Sequence, residues 1–184
     1  MKYSDICQTV SKLKKSYGET DPLRICQAMG ILVLFHPMGV QNTAIKGFFM
    51  KCKRIRVITI NSDLPPFMQR IIISHELGHA VLHQSCEVHT FHEISLFSQS
   101  SNMEQEANLF AAEFLLEDET VLDMIEHDTT FFDAASRLMV PAEMLVFKFQ
   151  LMKAKGYKLT PPPIGAHNDF LRQIKIPCDL DYCS

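Results

Sequence analysis

The first part of the chain shows two kinds of hydrophobic periodicity. Apolar residues recur at helical spacing over residues 4–17 and 21–29, which predicts two helices. At the start of the second helix Asp21 is a capping residue, and Pro22 suits the first helical position. The short apolar run ILVLFH, at 31–36, is rich in β-forming residues and predicts a strand.

The segments AIKGFFM and RIRVITI flank a polar turn at Lys51–Lys53 and predict a β-hairpin. In the second segment, 54–60, arginines alternate with apolar residues, so one face of the strand is polar and the other apolar. This strand is a candidate edge of the sheet, where an extended peptide can bind by strand addition.

Helical patterns dominate the rest of the chain. Asp63 is a candidate cap for a helix over 66–84. A second strong helix is predicted from 103 to 119, and shorter helices follow at 119–126, 130–139 and 141–154. A small three-stranded sheet followed by helices predicts an α+β fold. We expect three parts: a core at 1–126, a helical C-terminal part of the same domain at 127–155, and a Pro-rich irregular tail at 156–184.

Composition and charge argue against nucleic acid or membrane as the main partner. Hydrophobic residues make up 47% of the chain and the net charge is -3, whereas nucleic-acid-binding domains usually carry a basic excess. Basic residues do cluster at Lys12–Lys15 and at Lys51–Arg56, and we interpret both clusters as solvated faces. No apolar run is long enough to span a membrane, and the first residues lack the apolar segment of a signal peptide.

A cytoplasmic location is therefore expected, and it changes how the cysteines are interpreted. The six cysteines form no CxxC pair, so in a reducing compartment they are predicted to be free thiols. Cys178 and Cys183 leave a disulfide or a metal site open as an alternative.

The segment IIISHELGHAVLH places titratable residues in an apolar helix. His75 and His79 are four residues apart and share one helix face, so both imidazoles can bind one metal ion. Glu76 lies beside them, and this HExxH pattern is typical of metallopeptidases, in which the glutamate acts on a metal-bound water. A catalytic zinc site also needs a third protein ligand and an open position for water.

Several residues are candidates for the third ligand. His83 is awkwardly placed because a straight helix drifts over eight residues, whereas His89 and His92 lie beyond the helix. Glu106 is the better candidate, because it borders an apolar stripe on the second strong helix, where a carboxylate needs a partner. Glu113 falls on nearly the same face and is either a supporting residue or the ligand itself.

The pair of motifs RIIISHELGHAVLH and EQEANLFAAEFLL resembles the ImmA/IrrE family of zinc-dependent metallopeptidases. The resemblance extends over about residues 20–120 and includes DPLRICQAMGILV, KGFF and VITIN. It implies a zincin-like fold, Zn²⁺ held by His75, His79 and Glu106, and Glu76 as the catalytic glutamate. One departure is Glu117, where the family usually has a proline.

By the same resemblance, the expected activity is cleavage of a specific protein, a helix-turn-helix transcriptional repressor. Manganese or iron stays open as the working metal. The residue that stabilises the oxyanion is also open, with five candidates: His83, His92, His127, Tyr157 and His167.

Two other functions compete with proteolysis. The first is a zinc-containing regulator that binds and inactivates a repressor without cleaving it, and such a site does not need Glu76. The second is DNA binding through residues 130–154, where FFDAASRLMVPAEMLVFKFQLM has the rhythm of a helix-turn-helix. The scarcity of basic residues in this segment favours packing instead.

Overall fold

The computed structural model describes residues 1–41, 44–83, 101–126, 130–160 and 162–165. Within these residues lie seven α-helices and three β-strands. Their bounds, in chain order, are α1 (Tyr3–Tyr17), α2 (Pro22–Ala28), β1 (Leu32–His36), β2 (Gly47–Cys52), β3 (Ile55–Asn61), α3 (Pro66–Leu82), α4 (Ser101–Leu115), α5 (Asp118–Glu126), α6 (Phe131–Arg137) and α7 (Ala142–Ala154). The predicted α+β fold with a small three-stranded sheet is confirmed.

Local capping chemistry explains where α2 begins but not where α3 begins. The Asp21 carboxylate accepts a hydrogen bond from the Leu23 amide at 3.0 Å and Pro22 occupies the first helical position, as predicted. Asp63, in contrast, does not cap α3. Its carboxylate accepts a hydrogen bond from the Gly39 amide at 2.7 Å, and α3 begins after Pro65 without a side-chain cap.

The sheet has the strand order β1-β3-β2, so the strand predicted at 54–60 is central and not an edge. β1 pairs with β3 in parallel, and β2 pairs with β3 antiparallel. Because β3 is hydrogen-bonded on both sides, the prediction that it adds a peptide strand is wrong. Strand β2 continues through Cys52, and the hairpin turns at Lys53, whose φ is 54°.

Helix α3 lies between the sheet and α4, and it is buried on almost every side. Its buried residues run from Met68 to Ala80 and include Ser74 and the polar part of the HELGH segment. Gly78 permits the close approach of α4, since a Cβ at this position would meet Phe110 Cδ1 at 3.1 Å and Ala107 Cα at 3.3 Å. The sequence HELGH therefore sits in the centre of the fold.

The helix predicted at 103–119 is divided into two. Helix α4 ends at Leu115, and α5 starts at Asp118. The break brings the Asp118 carboxylate to two lysines of the α7 region, with Lys148 Nζ at 2.5 Å and Lys155 Nζ at 2.8 Å. Glu113, at the end of α4, completes this ionic cluster at 2.7 Å from Lys148 Nζ and 2.6 Å from Lys155 Nζ.

The predicted helix pair at 130–154 exists, but its second helix serves the core. Helix α7 buries most of its length, including Leu145, Phe147 and the side chain of Lys148, which is 1% exposed. A recognition helix needs an exposed face to enter a DNA groove. The burial of α7 thus favours packing over DNA binding. In the described part of the chain, no helix has the length and apolarity needed to cross a membrane.

Candidate metal centre

Helix α3 buries the three polar residues of the HELGH segment. His75 is 2% exposed, Glu76 is 1% exposed and His79 is fully buried. Burying such groups is costly unless each finds a hydrogen-bonding, ionic or metal partner. The burial therefore calls for a partner close to the two imidazoles.

That partner is Glu104, in the first turn of α4. Its Oε2 lies 3.2 Å from His75 Nε2, and its Oε1 lies 3.4 Å from His79 Nε2. The two Nε2 atoms are 3.1 Å apart. In a tetrahedral zinc site with bonds of about 2.0–2.1 Å, neighbouring donor atoms are separated by roughly 3.3 Å. The three donors thus have the spacing that one small tetrahedral cation requires.

The charges of the cluster are coupled. Burial raises the pKa of Glu104, but its hydrogen bonds to His75 and His79 outweigh burial and hold this pKa far below its ordinary value. Burial also lowers the pKa of His75, yet the hydrogen bond and charge of Glu104 outweigh it and leave that pKa raised. The pKa of His79 is lowered, chiefly by burial and further by His75. Glu104 is therefore a carboxylate at neutral pH, the form that binds metals.

Glu106, the residue expected to be the third ligand, points elsewhere. Its Oε2 lies 3.0 Å from His83 Nε2, and its Oε1 contacts the α-amino group of Met1. The reason is helical geometry: Glu104 precedes the buried Ala107 by three residues and the buried Ala111 by seven, so all three share one face. Glu106 lies to one side of that face. Because Glu106 also borders buried residues of α4, the sequence spacing alone does not distinguish the two glutamates.

His83 links Glu106 to the metal centre. Its Nδ1 lies 3.1 Å from His79 Nδ1, the ring nitrogen that faces away from Glu104. If His79 Nε2 binds a cation, its proton is on Nδ1 and is donated to His83 Nδ1. His83 then carries its own proton on Nε2 and donates it to Glu106. One set of tautomers satisfies the whole chain of contacts.

A second buried polar residue, Asn108, supports the other histidine. Asn108 is 2% exposed and lies one turn after Glu104 on α4. The proximity of its side chain contributes to the raised pKa of His75. Both histidines therefore have a polar neighbour besides Glu104, an arrangement common around protein metal sites.

The remaining sequence candidates lie away from the cluster or outside the described residues. Glu113 pairs with the lysines of the ionic cluster and does not approach the histidines. Tyr157 follows the end of α7 and is 37% exposed. His89, His92, His127 and His167 fall outside the described residues.

Comparison with known proteins identifies the family. Residues 26–150 match the peptidase family described as the IrrE N-terminal-like domain. The chain belongs to this ImmA/IrrE family. The match covers α3 and α4 and all three ligand candidates.

Two relatives of this ImmA/IrrE protein carry names of interest. Uncharacterized immunity region protein 2 of Bacillus phage phi105 is 36% identical over 146 residues, which cover 79% of this chain and 90% of that protein. Metallopeptidase ImmA of Bacillus subtilis strain 168 is 28% identical over 119 residues, which cover 64% of this chain and 67% of that protein.

Family membership and geometry agree on the type of chemistry. The family and the ImmA relative indicate a metal-dependent peptidase, hence a hydrolase. Among the described residues, His75, His79 and Glu104 form the group that could hold the metal ion.

Proposed function

We propose that this chain is a zinc-dependent endopeptidase that cleaves a helix-turn-helix transcriptional repressor. The observation that carries the proposal is the donor triangle of His75, His79 and Glu104, with Glu76 next to it on α3. Two imidazoles and one carboxylate are a ligand set typical of catalytic zinc, and they leave one coordination position for water. The name of the phage phi105 relative, an immunity region protein, supports a repressor as substrate.

Glu76 acts as the general base and then as the acid. When bound, zinc supplies Lewis acidity, which lowers the pKa of a water molecule and polarises a peptide carbonyl. Glu76 accepts the proton of the attacking water and transfers it to the leaving amine. Its burial keeps the carboxylate in an environment of low dielectric, which strengthens these interactions.

His83, Glu106 and Asn108 orient the two histidine ligands. His83 accepts the proton of His79 Nδ1, and the Glu106 carboxylate fixes the tautomer of His83. Asn108, the buried polar neighbour of His75 on α4, supports the other ligand. Substitution of such supporting residues typically costs about 10–100-fold in metal affinity or activity.

The substrate chain is expected to bind along β2. Within the described sheet β2 is the antiparallel edge strand, and it packs on α3, which carries Glu76. An extended peptide can add to such an edge through main-chain hydrogen bonds. A peptide bound along β2 would therefore run beside the helix that carries Glu76.

The test of the ligand assignment compares two glutamates on one helix. Zinc affinity is measured by competition with a chromophoric chelator for Glu104→Gln and for Glu106→Gln. Structural zinc sites with four protein ligands bind zinc with a free energy of about 10–16 kcal/mol, which is roughly 3 kcal/mol for each ligand. We therefore expect Glu104→Gln to weaken zinc binding by more than about 100-fold and Glu106→Gln, which alters only a supporting residue, by about 10-fold. The reverse order would restore Glu106 as the ligand.

The test of the activity uses the zinc-loaded protein and a candidate helix-turn-helix repressor from the same genome. Mass spectrometry should find one or a few specific cleavages with the wild type. Glu76→Gln should retain zinc yet lose cleavage, because the base is missing and the ligands remain. If the repressor is inactivated equally by both proteins without cleavage, the non-proteolytic regulator is the correct reading. Loading with manganese or iron in parallel identifies the working metal.

A further inference from the structure

The basic residues of the β2–β3 hairpin converge on a cavity next to the active-site helix. The cavity has a volume of about 310 Å³. Four of its six lining residues are cations, and the complete lining is Phe49, Lys51, Lys53, Arg54, Arg56 and Ala80. The basic cluster at Lys51–Arg56, expected from the sequence to be a solvated face, therefore lines a concave site. We call this site the hairpin cleft.

The strand register places two of these cations face to face. Lys51 pairs directly with Arg56 across β2 and β3. Arg56 is held in place because its Nη2 donates a hydrogen bond to the carbonyl oxygen of Met29. An anion bound in the cleft would lie close to both positive charges.

Strand periodicity also tells which way the cleft faces. Side chains two residues apart share one face of a strand, so Lys51 lies on the face of Phe49, and Arg56 lies on the face of Ile58. Phe49 and Ile58 are both buried in the core. The two cations therefore extend the sheet face that packs on α3.

The cleft adjoins the proposed catalytic residue along α3. Ala80, which lines the cleft, follows Glu76 by four residues, so the two lie one helical turn apart on one face. A polypeptide that places its scissile bond at Glu76 can extend into the hairpin cleft with a neighbouring segment.

We propose that the hairpin cleft binds an acidic segment of the protein substrate and so determines specificity. The proposal rests on the proposed peptidase function. A cavity of this size accommodates a few side chains, and phosphate contacts to a nucleic acid would instead need an extended basic surface. The net charge of -3 also disfavours a nucleic acid.

The first experiment measures binding without hydrolysis. A fluorescein-labelled peptide of six glutamates flanked by Gly-Ser spacers is titrated with full-length, zinc-loaded Glu76→Gln protein, and fluorescence anisotropy is recorded. The cleft variant adds Lys53→Glu and Arg54→Glu, both at exposed positions of the turn. The matched control adds Lys12→Glu and Lys15→Glu, two exposed positions of α1, and changes the net charge by the same amount. Circular dichroism confirms that both variants fold. A milder variant, with Lys53→Gln and Arg54→Gln, removes the two positive charges without reversing them.

The expected result is about ten-fold weaker peptide binding for the cleft variant and less than about two-fold for the control. Raising the salt from 0.1 to 1 M should weaken wild-type binding, because the Debye length falls from about 10 Å to about 3 Å. Three results would overturn the proposal: no binding by the parent protein, equal loss in both variants, or tighter binding of an oligothymidylate of equal charge that the peptide does not displace.

The second experiment links the cleft to catalysis. With Glu76 restored, the cleft variant should show a raised KM for the repressor and an unchanged kcat, since the lost contacts are remote from the reacting atoms. An unchanged KM would refute the role in specificity. If the peptide binds as expected but no repressor is cleaved, the peptidase function fails while the anion-binding site stands, so the two failures are distinguishable.

Discussion

Gly78→Ala tests whether the spacing between α3 and α4 sets the metal centre. Two effects oppose each other. Alanine in a helix interior is favoured over glycine by about 1 kcal/mol. The new Cβ, however, would lie 3.1 Å from Phe110 Cδ1 and 3.3 Å from Ala107 Cα, inside the optimum of roughly 3.5–4.0 Å for carbon atoms.

Neither neighbour can yield easily. Phe110 is fully buried and stacks on Phe114 with ring centroids 5.9 Å apart, and the Ala107 atom belongs to the backbone. Overpacking of this kind costs about 1–3 kcal/mol. The net expectation is a destabilisation of about 1 kcal/mol, opposite in sign to helix propensity alone.

The same substitution should weaken metal binding. Relief of the contact requires α4 to move by a few tenths of an ångström, and Glu104 lies one turn before Ala107 on α4. Metal–ligand distances tolerate only about 0.2 Å. The free energy of unfolding is measured by urea denaturation of the metal-free protein, and zinc affinity by chelator competition.

A double-mutant cycle with Phe110→Leu provides the control. The smaller side chain should recover part of the loss caused by Gly78→Ala, because the two positions are in contact. The reasoning is refuted if Gly78→Ala stabilises the protein by about 1 kcal/mol and leaves zinc affinity unchanged.

Three further predictions use other parts of the fold. Lys148→Met should lower the free energy of unfolding by about 3 kcal/mol, because it removes one partner of a buried ionic cluster. The control Lys12→Met, at an exposed position, should change it by less than about 0.5 kcal/mol, and equal effects would contradict the cluster's role. Iodoacetamide should modify the exposed Cys52 of the folded protein before Cys26, since burial raises the pKa of Cys26 to about 12. Peptide mapping by mass spectrometry checks the order of labelling, and rapid labelling of Cys26 would contradict the prediction. His83→Leu should weaken zinc binding by about 10–100-fold, whereas His83→Asn, which can still accept a hydrogen bond from His79, should retain part of the affinity. Identical losses in the two variants would show that His83 acts through packing alone.

The active-site helix and much of the rest of the fold can be predicted from residues that are close together in the chain. The i, i+4 spacing of His75 and His79 fixes their common face, and the two-motif combination identifies the family. The hairpin and both N-terminal helices likewise follow from residues that are near neighbours in the chain.

The features that the sequence does not determine concern contacts between distant segments. Glu104 and Glu106 differ by only two residues, and the choice between them depends on how α4 rotates against α3, which Gly78, Ala107 and Phe110 decide together. The central position of β3 depends on β1 returning in parallel beside it, and no local pattern encodes that pairing. The break of the long helix before Asp118 depends on lysines some 30 residues further along the chain.

The position of α3 between the sheet and α4 has a consequence for the dynamics of the site. Backbone amides in such a central helix exchange with solvent mainly through global unfolding, while those at chain ends exchange through local opening. The amides of His75 and His79 should therefore be among the slowest to exchange, with or without metal. Two imidazoles held this firmly lose little conformational entropy when an ion binds, so the cost of ordering these two ligands hardly reduces the affinity.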